Sequence, residues 1–124
     1  MAIKDFITSD ANARDMVEEA ERLARDIQKD VSTSQIRNAY GTVKKLEMAG
    51  ELTPQTYRQI LLLKPKLAYA RGRAEGRKRD SYQKLETALG QAIDAIAPQD
   101  VETFRRFCQF FEAILAYHKA YGGK

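Results

Sequence analysis

Apolar residues recur along the chain at steps of three and four, and nothing alternates with the period of two that a half-buried strand needs. In the first such run Met16, Ala20, Leu23, Ala24, Ile27 and Val31 share one stripe, opposite a face rich in Asp and Glu that reads as solvent surface. A second run starts at Thr33 or Ser34, either of which offers an oxygen to the free amides of a helix start. It turns Ile36, Ala39, Tyr40, Val43 and Leu46 inward, shows Arg37, Lys44 and Lys45 on its other side, and ends at Gly50. Thr53 with Pro54 opens a third helix, because proline has no amide hydrogen to lose in a first turn and its fixed φ suits a helix. Ile60 to Leu63 is apolar on all sides, which implies burial, and Pro65 predicts a kink or break at Lys64.

Gly72 and Gly76 among many charges weaken the helix beyond Arg71, so that stretch reads as a loop or frayed helix end. Asp80 or Ser81 then caps a fourth helix with Tyr82, Leu85, Leu89, Ile93 and Ile96, closed near Pro98. The fifth presents Val101, Phe104, Phe107, Cys108, Phe111, Ile114, Leu115 and His118 as a stripe and stops at Gly122 and Gly123. Helices joined by short connections predict an all-α fold, a compact bundle of about five helices.

A length of 124 residues fits one domain, 1–124, and 44% hydrophobic with 31% charged residues is too apolar for a disordered tail and too charged for a membrane protein. No run approaches the roughly 18 uninterrupted apolar residues of a membrane span. The start, MAIKDFITSD, carries neither a basic leader nor an apolar signal core, so a cytoplasmic protein without membrane contact is expected. The lone Cys108 allows no internal disulfide and no paired-cysteine zinc site, so packing must hold the fold; no metal or other cofactor is expected.

The net charge of +4 is unevenly spread. Residues 1–30 hold five Lys/Arg and eight Asp/Glu, whereas residues 64–79 hold Lys64, Lys66, Arg71, Arg73, Arg77, Lys78 and Arg79 against Glu75 alone. Unpaired like charges raise the energy of the folded state, and a polyanion relieves that while releasing its condensed counterions, so the segment is a candidate phosphate tracker. A solvated basic surface is the alternative reading. Arg71 and Arg73 stand about 200° apart on an ideal helix, so a regular helix does not aim both at one strand. Tyr69 inside the segment reads as a core position beside Leu67 and Ala70, with base stacking as the alternative; Tyr40 also reads as core. No RNA-recognition motif, KH loop or zinc knuckle is present, so base-specific reading is not indicated.

Catalytic chemistry is sparse. His118 and Cys108 are the only imidazole and thiol, and ten residues of straight helix separate them by about 15 Å, too far for a base and its nucleophile. Cys108 reads as a small buried hydrophobe and His118 as a core-edge residue with a satisfied ring nitrogen. There is no phosphate-binding P-loop and no dinucleotide-binding glycine motif. A non-enzyme is expected.

Three stretches in order, TSQIRNAYGTVKK (33–45), LLLKPKLAYARGR (61–73) and FRRFCQFFEAILAYHKAYGG (104–123), are similar to the small helical subunit of the type III-A CRISPR effector, the Csm complex. The similarity runs from about residue 30 to the end. It implies a non-catalytic helical subunit, present in several copies, that stacks beside ferredoxin-like backbone subunits and helps to cradle the guide RNA and its target RNA. It also implies a large multidomain subunit as a further partner, with all cutting left to the neighbours. Arg37, Lys64, Lys66, Arg71 and Arg73 fall inside the matched stretches as RNA contacts; Lys44, Lys45, Arg77, Lys78 and Arg79 join them on charge density. His118 and Lys119 match the C-terminal stretch as contacts either to RNA or to a neighbouring subunit.

Two other functions compete. Phe110 falls off the main stripe of the last helix, so a face of Phe107, Phe110 and Phe111 is expected to seal a subunit interface if the chain is a protein-only adaptor whose basic surface meets an acidic partner. A small ribonuclease rests on His118 alone.

Overall fold

Seven α-helices take up the apolar runs in the computed structural model, which describes residues 2–123. They are α1 (Ile3–Thr8), α2 (Ala13–Ile27), α3 (Thr33–Met48), α4 (Pro54–Leu61), α5 (Leu63–Arg73), α6 (Arg77–Asp94) and α7 (Val101–Ala120), with a 3₁₀ turn at Asp10–Asn12. The fold is all-α and compact, as the periodicity predicts. The two additions to the expected five helices are α1, which lies ahead of the first predicted stripe, and the division of the third helix.

Helix starts follow local hydrogen bonding. Ser32 Oγ accepts the Gln35 amide at 3.2 Å, Thr53 Oγ1 accepts the Thr56 amide at 3.1 Å with Pro54 in the first turn, and Asp100 Oδ1 accepts the Glu102 amide at 3.0 Å. Ser32 thus caps α3 in place of the expected Thr33 or Ser34, and Thr33 is free for a partner across the core. The break expected at Lys64 falls two residues earlier, at Leu62, which separates α4 from α5. Pro65 then sits in the first turn of α5, where its missing amide hydrogen costs nothing. Beyond it the helix continues through Gly72 to Arg73, so the expected loop shrinks to a few residues around Gly76, whose φ of +59° few other residues tolerate. The next helix begins at Arg77 rather than Asp80 because that turn reverses the chain early.

Packing converges on α7. Helices α2 and α3 lie along it, α5 and α6 form an antiparallel pair, and α1 wedges between α6 and α7. All five phenylalanines are buried. Phe6 of α1 meets Phe110 at a centroid distance of 5.0 Å, and Phe107 meets Phe111 edge-on at 6.1 Å. The face assigned to a subunit interface, Phe107, Phe110 and Phe111, is therefore interior: α1 covers Phe110, and none of the three exceeds 1% exposure. A helix periodicity marks Phe110 as off-stripe without revealing that another segment of the same chain packs there.

The far end of α7 is closed by a double hydrogen bond. The Gly122 amide donates to Lys119 O at 3.0 Å and the Gly123 amide to His118 O at 2.9 Å, with Gly122 at φ +88°. A Cβ on Gly123 would collide with the His118 ring.

Candidate nucleic-acid interface

The basic segment occupies α5 and the start of α6, and the helix pitch sorts its side chains into rows. Lys64 and Arg71 are seven residues apart and share one side of α5; Lys66 and Arg73 share another, about 200° away. The first row faces α6 and is neutralised there. Lys64 Nζ donates to Asp94 at 2.6 Å and Arg71 lies 3.2 Å from Glu86. Such exposed pairs contribute little stability, on the order of 0–1 kcal/mol. Their larger effect is to cancel charge that the sequence counts as free.

The second row stays open. Lys66 and Arg73 have no ion pair among the described residues; Lys66 borders a groove between α3 and α5, and Arg73 the cleft that continues it. The floor of the groove is apolar, built from Ile36, Ala39, Leu63, Leu67, Leu85 and Phe111, and its volume is about 340 Å³. At one end it runs into this polar cleft of similar size, through Gln35, Ala70 and Tyr82, which line both. Lys78 of α6 stands on that cleft with Tyr69, Arg73 and Ser32. Burial raises the Tyr82 phenol above its usual pKa, so it stays a neutral hydrogen-bonding group.

Arg77, Lys78 and Arg79 occupy the first turn of α6, where the exposed amides already make the field positive and Asp80 is the acidic residue of that turn. Arg77 reaches Asp30 at 3.7 Å, and the same carboxylate accepts the Ser81 hydroxyl at 2.6 Å. Lys78 and Arg79 have no ion pair among the described residues. This end of the molecule holds a cationic excess that the chain does not itself cancel.

The remaining cations lie elsewhere. Arg37 and Lys44 share the side of α3 about 200° from Gln35, facing away from the groove, and Lys44 is paired with Glu47 at 3.1 Å. Lys45 is exposed seven residues after Asn38, on the same side as that groove residue. The structure thus groups Lys66, Arg73, Lys78 and, at the edge, Arg77, and leaves Arg37, Lys44, Lys64 and Arg71 outside the group.

His118 is fully buried and touches no surface. Val31 O only accepts, so Nε2 carries the proton in the 2.7 Å bond between them, and Nδ1 then accepts the Thr33 hydroxyl at 3.3 Å. The reading of His118 as an RNA or neighbour contact is corrected on that ground, and a nuclease role loses its base: both ring nitrogens are occupied and no solvent reaches them. Lys119 is exposed. Burial and the nearby Glu47 push the Cys108 thiol well above its usual range, so it remains an unreactive thiol.

Tyr69 contradicts the sequence reading. It is 68% exposed, and the Arg73 guanidinium lies over its ring at 5.7 Å. The signal was in the pitch: Leu63, Leu67 and Ala70 cluster on one side of α5, and Tyr69 lies about 100° or more from all three. Tyr40 packs against Phe111 as expected, at 5.6 Å and edge-on, but its hydroxyl reaches the surface to donate to Glu112 at 2.8 Å.

No group of three or more His, Cys, Asp or Glu among the described residues is arranged to hold a metal ion, and no described helix is long and apolar enough to cross a membrane. The model of the family "Csm2 Type III-A" matches residues 10–124. A Streptococcus thermophilus protein described as "CRISPR system Cms protein Csm2" is 31% identical over 116 residues, covering 87% of this chain and 92% of its own length. No solved structure matches the chain. A family match over nearly the whole length and a relative aligned across most of both chains agree: this chain belongs to the Csm2 family and is a small subunit of a type III-A CRISPR complex.

Proposed function

We propose that the chain is a non-catalytic subunit that binds the sugar-phosphate backbone of guide or target RNA along the α3–α5 groove and the start of α6. One observation carries the reading: Lys66 on the groove, and Arg73 and Lys78 on the cleft that continues it, have no ion pair among the described residues, while Lys64 and Arg71 are tied to α6. Base pairing between guide and target supplies sequence identity in such complexes, so backbone contacts suffice. The other faces serve the ferredoxin-like backbone subunits, the large multidomain subunit and further copies of itself, all within the cytoplasm, and the chemistry of cutting belongs to those neighbours. Repetition along a filament lets individually weak RNA contacts act together.

The test is binding of single-stranded RNA by the purified subunit over a salt series. Log affinity is expected to fall with log salt by about 0.7 per phosphate neutralised. Lys66→Glu/Arg73→Glu/Lys78→Glu abolishes binding with the helical circular dichroism intact, and Lys64→Glu/Arg71→Glu has the smaller effect. Equal losses from the two variants, or none, would remove the groove from the mechanism. The adaptor reading has lost its aromatic face to the core; a native complex whose partners all survive ribonuclease treatment would restore it on the basic surface alone.

A further inference from the structure

We infer that Tyr69 and Arg73 form a stacking platform for an unpaired nucleobase of the bound RNA, with Lys66 and Lys78 holding the flanking phosphates. This rests on the RNA-binding reading above and goes past it, because backbone contacts alone give an aromatic side chain nothing to do.

Four features of the cleft converge on such a ligand. Tyr69 keeps 68% of its surface in water although its neighbours Leu67 and Ala70 pack inward, so the ring makes no core contact that explains it. Arg73 lies over that ring at 5.7 Å, one turn further along α5, which fixes the ring's position and adds a planar cation that itself stacks on bases. The cleft beside them, about 340 Å³, has room for a base and its ribose. Its polar walls come from Ser32, Gln35 and Tyr82, groups able to donate and accept without specifying one base.

Charge around the platform suits a nucleotide rather than a neutral aromatic ligand. Lys66 precedes Tyr69 by three residues, on the adjacent strip of the helix, and Lys78 faces across from α6. The cleft does contain a carboxylate, Asp30, but Ser81 and Arg77 already engage its oxygens. An unpaired base has both faces free, whereas a base inside an A-form duplex has neither, so the platform selects single-stranded or flipped-out nucleotides.

The experiment uses the full chain and an oligouridylate carrying one 2-aminopurine, whose fluorescence drops on stacking. Wild-type protein is expected to quench it. Tyr69→Ala abolishes the quench and weakens RNA binding about tenfold at every salt concentration, leaving the salt slope unchanged because no charge is lost. Tyr69→Phe behaves as wild type. Heparin, a polyanion without bases, binds wild type and Tyr69→Ala alike. The platform is refuted if Tyr69→Ala leaves RNA affinity and the 2-aminopurine signal unchanged, or costs heparin as much as RNA; RNA binding through the groove would then stand without it. Wild-type protein that binds neither RNA nor heparin sinks the RNA-binding reading and the platform together. Since Tyr69 is exposed, its replacement leaves the core untouched, which circular dichroism verifies.

Discussion

Replacing His118 with alanine removes a pin that joins the last helix to the turn between α2 and α3. The ring spans two groups far away in sequence, Val31 O at 2.7 Å and Thr33 Oγ1 at 3.3 Å, and is wholly shielded from water. Truncation leaves the Val31 carbonyl and the Thr33 hydroxyl without partners, at about 1–3 kcal/mol for each buried group, and opens a cavity the size of the ring. A total near 4 kcal/mol follows, a large part of the roughly 10 kcal/mol that holds a chain of this size together. Melting is then expected to fall by about 15 °C. Thr33→Val keeps the shape and removes one hydrogen bond, costing about 1 kcal/mol. The double variant should lose about 1 kcal/mol less than the two separate losses added, because each single change breaks the same Thr33–His118 bond. Urea unfolding followed by circular dichroism measures all three. A His118→Ala protein as stable as a Lys119→Ala control, or one that stays fully stable yet loses RNA, would place the ring on the surface and undo the assignment.

Other outcomes follow from the same packing. Phe110→Ala should cost about 3–5 kcal/mol, since the ring is fully buried against Phe6; a change under about 1 kcal/mol in urea unfolding would mean that α1 does not dock there. Gly123→Ala destabilises by collision with the His118 ring and Gly122→Ala by its positive φ, so pairing Gly123→Ala with His118→Ala should recover part of the Gly123 loss, whereas pairing Gly122→Ala with it should not. The Arg106 guanidinium, which binds Asp10 at 2.7 Å, holds that carboxyl below its usual value of 3.8. A lowered carboxyl pKa stabilises the fold above the unfolded value, and the benefit disappears as pH falls through the folded one. Asp10→Asn should therefore differ from wild type in urea midpoint at neutral pH and converge with it in acid; a constant gap would point to a different cause.

The helices were legible because their information is local. Three- and four-residue spacing marks which face of a helix is greasy, a threonine before a proline marks a start, and paired glycines mark a stop; each depends on atoms within a few residues. The stripe of α7, the start at Pro54 and the angular separation of Arg71 from Arg73 were all readable in that way. Boundaries slipped where two nearby groups competed, as Ser32 did with Thr33, or where Pro65 served as well inside a new first turn as beyond an old last one.

What the chain's linear order does not encode is which helix a given face will meet. Lys64, Arg71 and Arg77 count as free positive charges until folding brings Asp94, Glu86 and Asp30 against them, the first of these 30 residues away. Phe110 looks unpartnered until α1 folds over it, and His118 finds its two hydrogen-bond partners, Thr33 and Val31, 85 and 87 residues upstream. Tyr69, by contrast, gains nothing from folding and is left in water beside Arg73. Helical pitch sets where each side chain points, but the pairing of helices sets what lies opposite, and that choice alone reduced a broad basic segment to a few open cations on one groove.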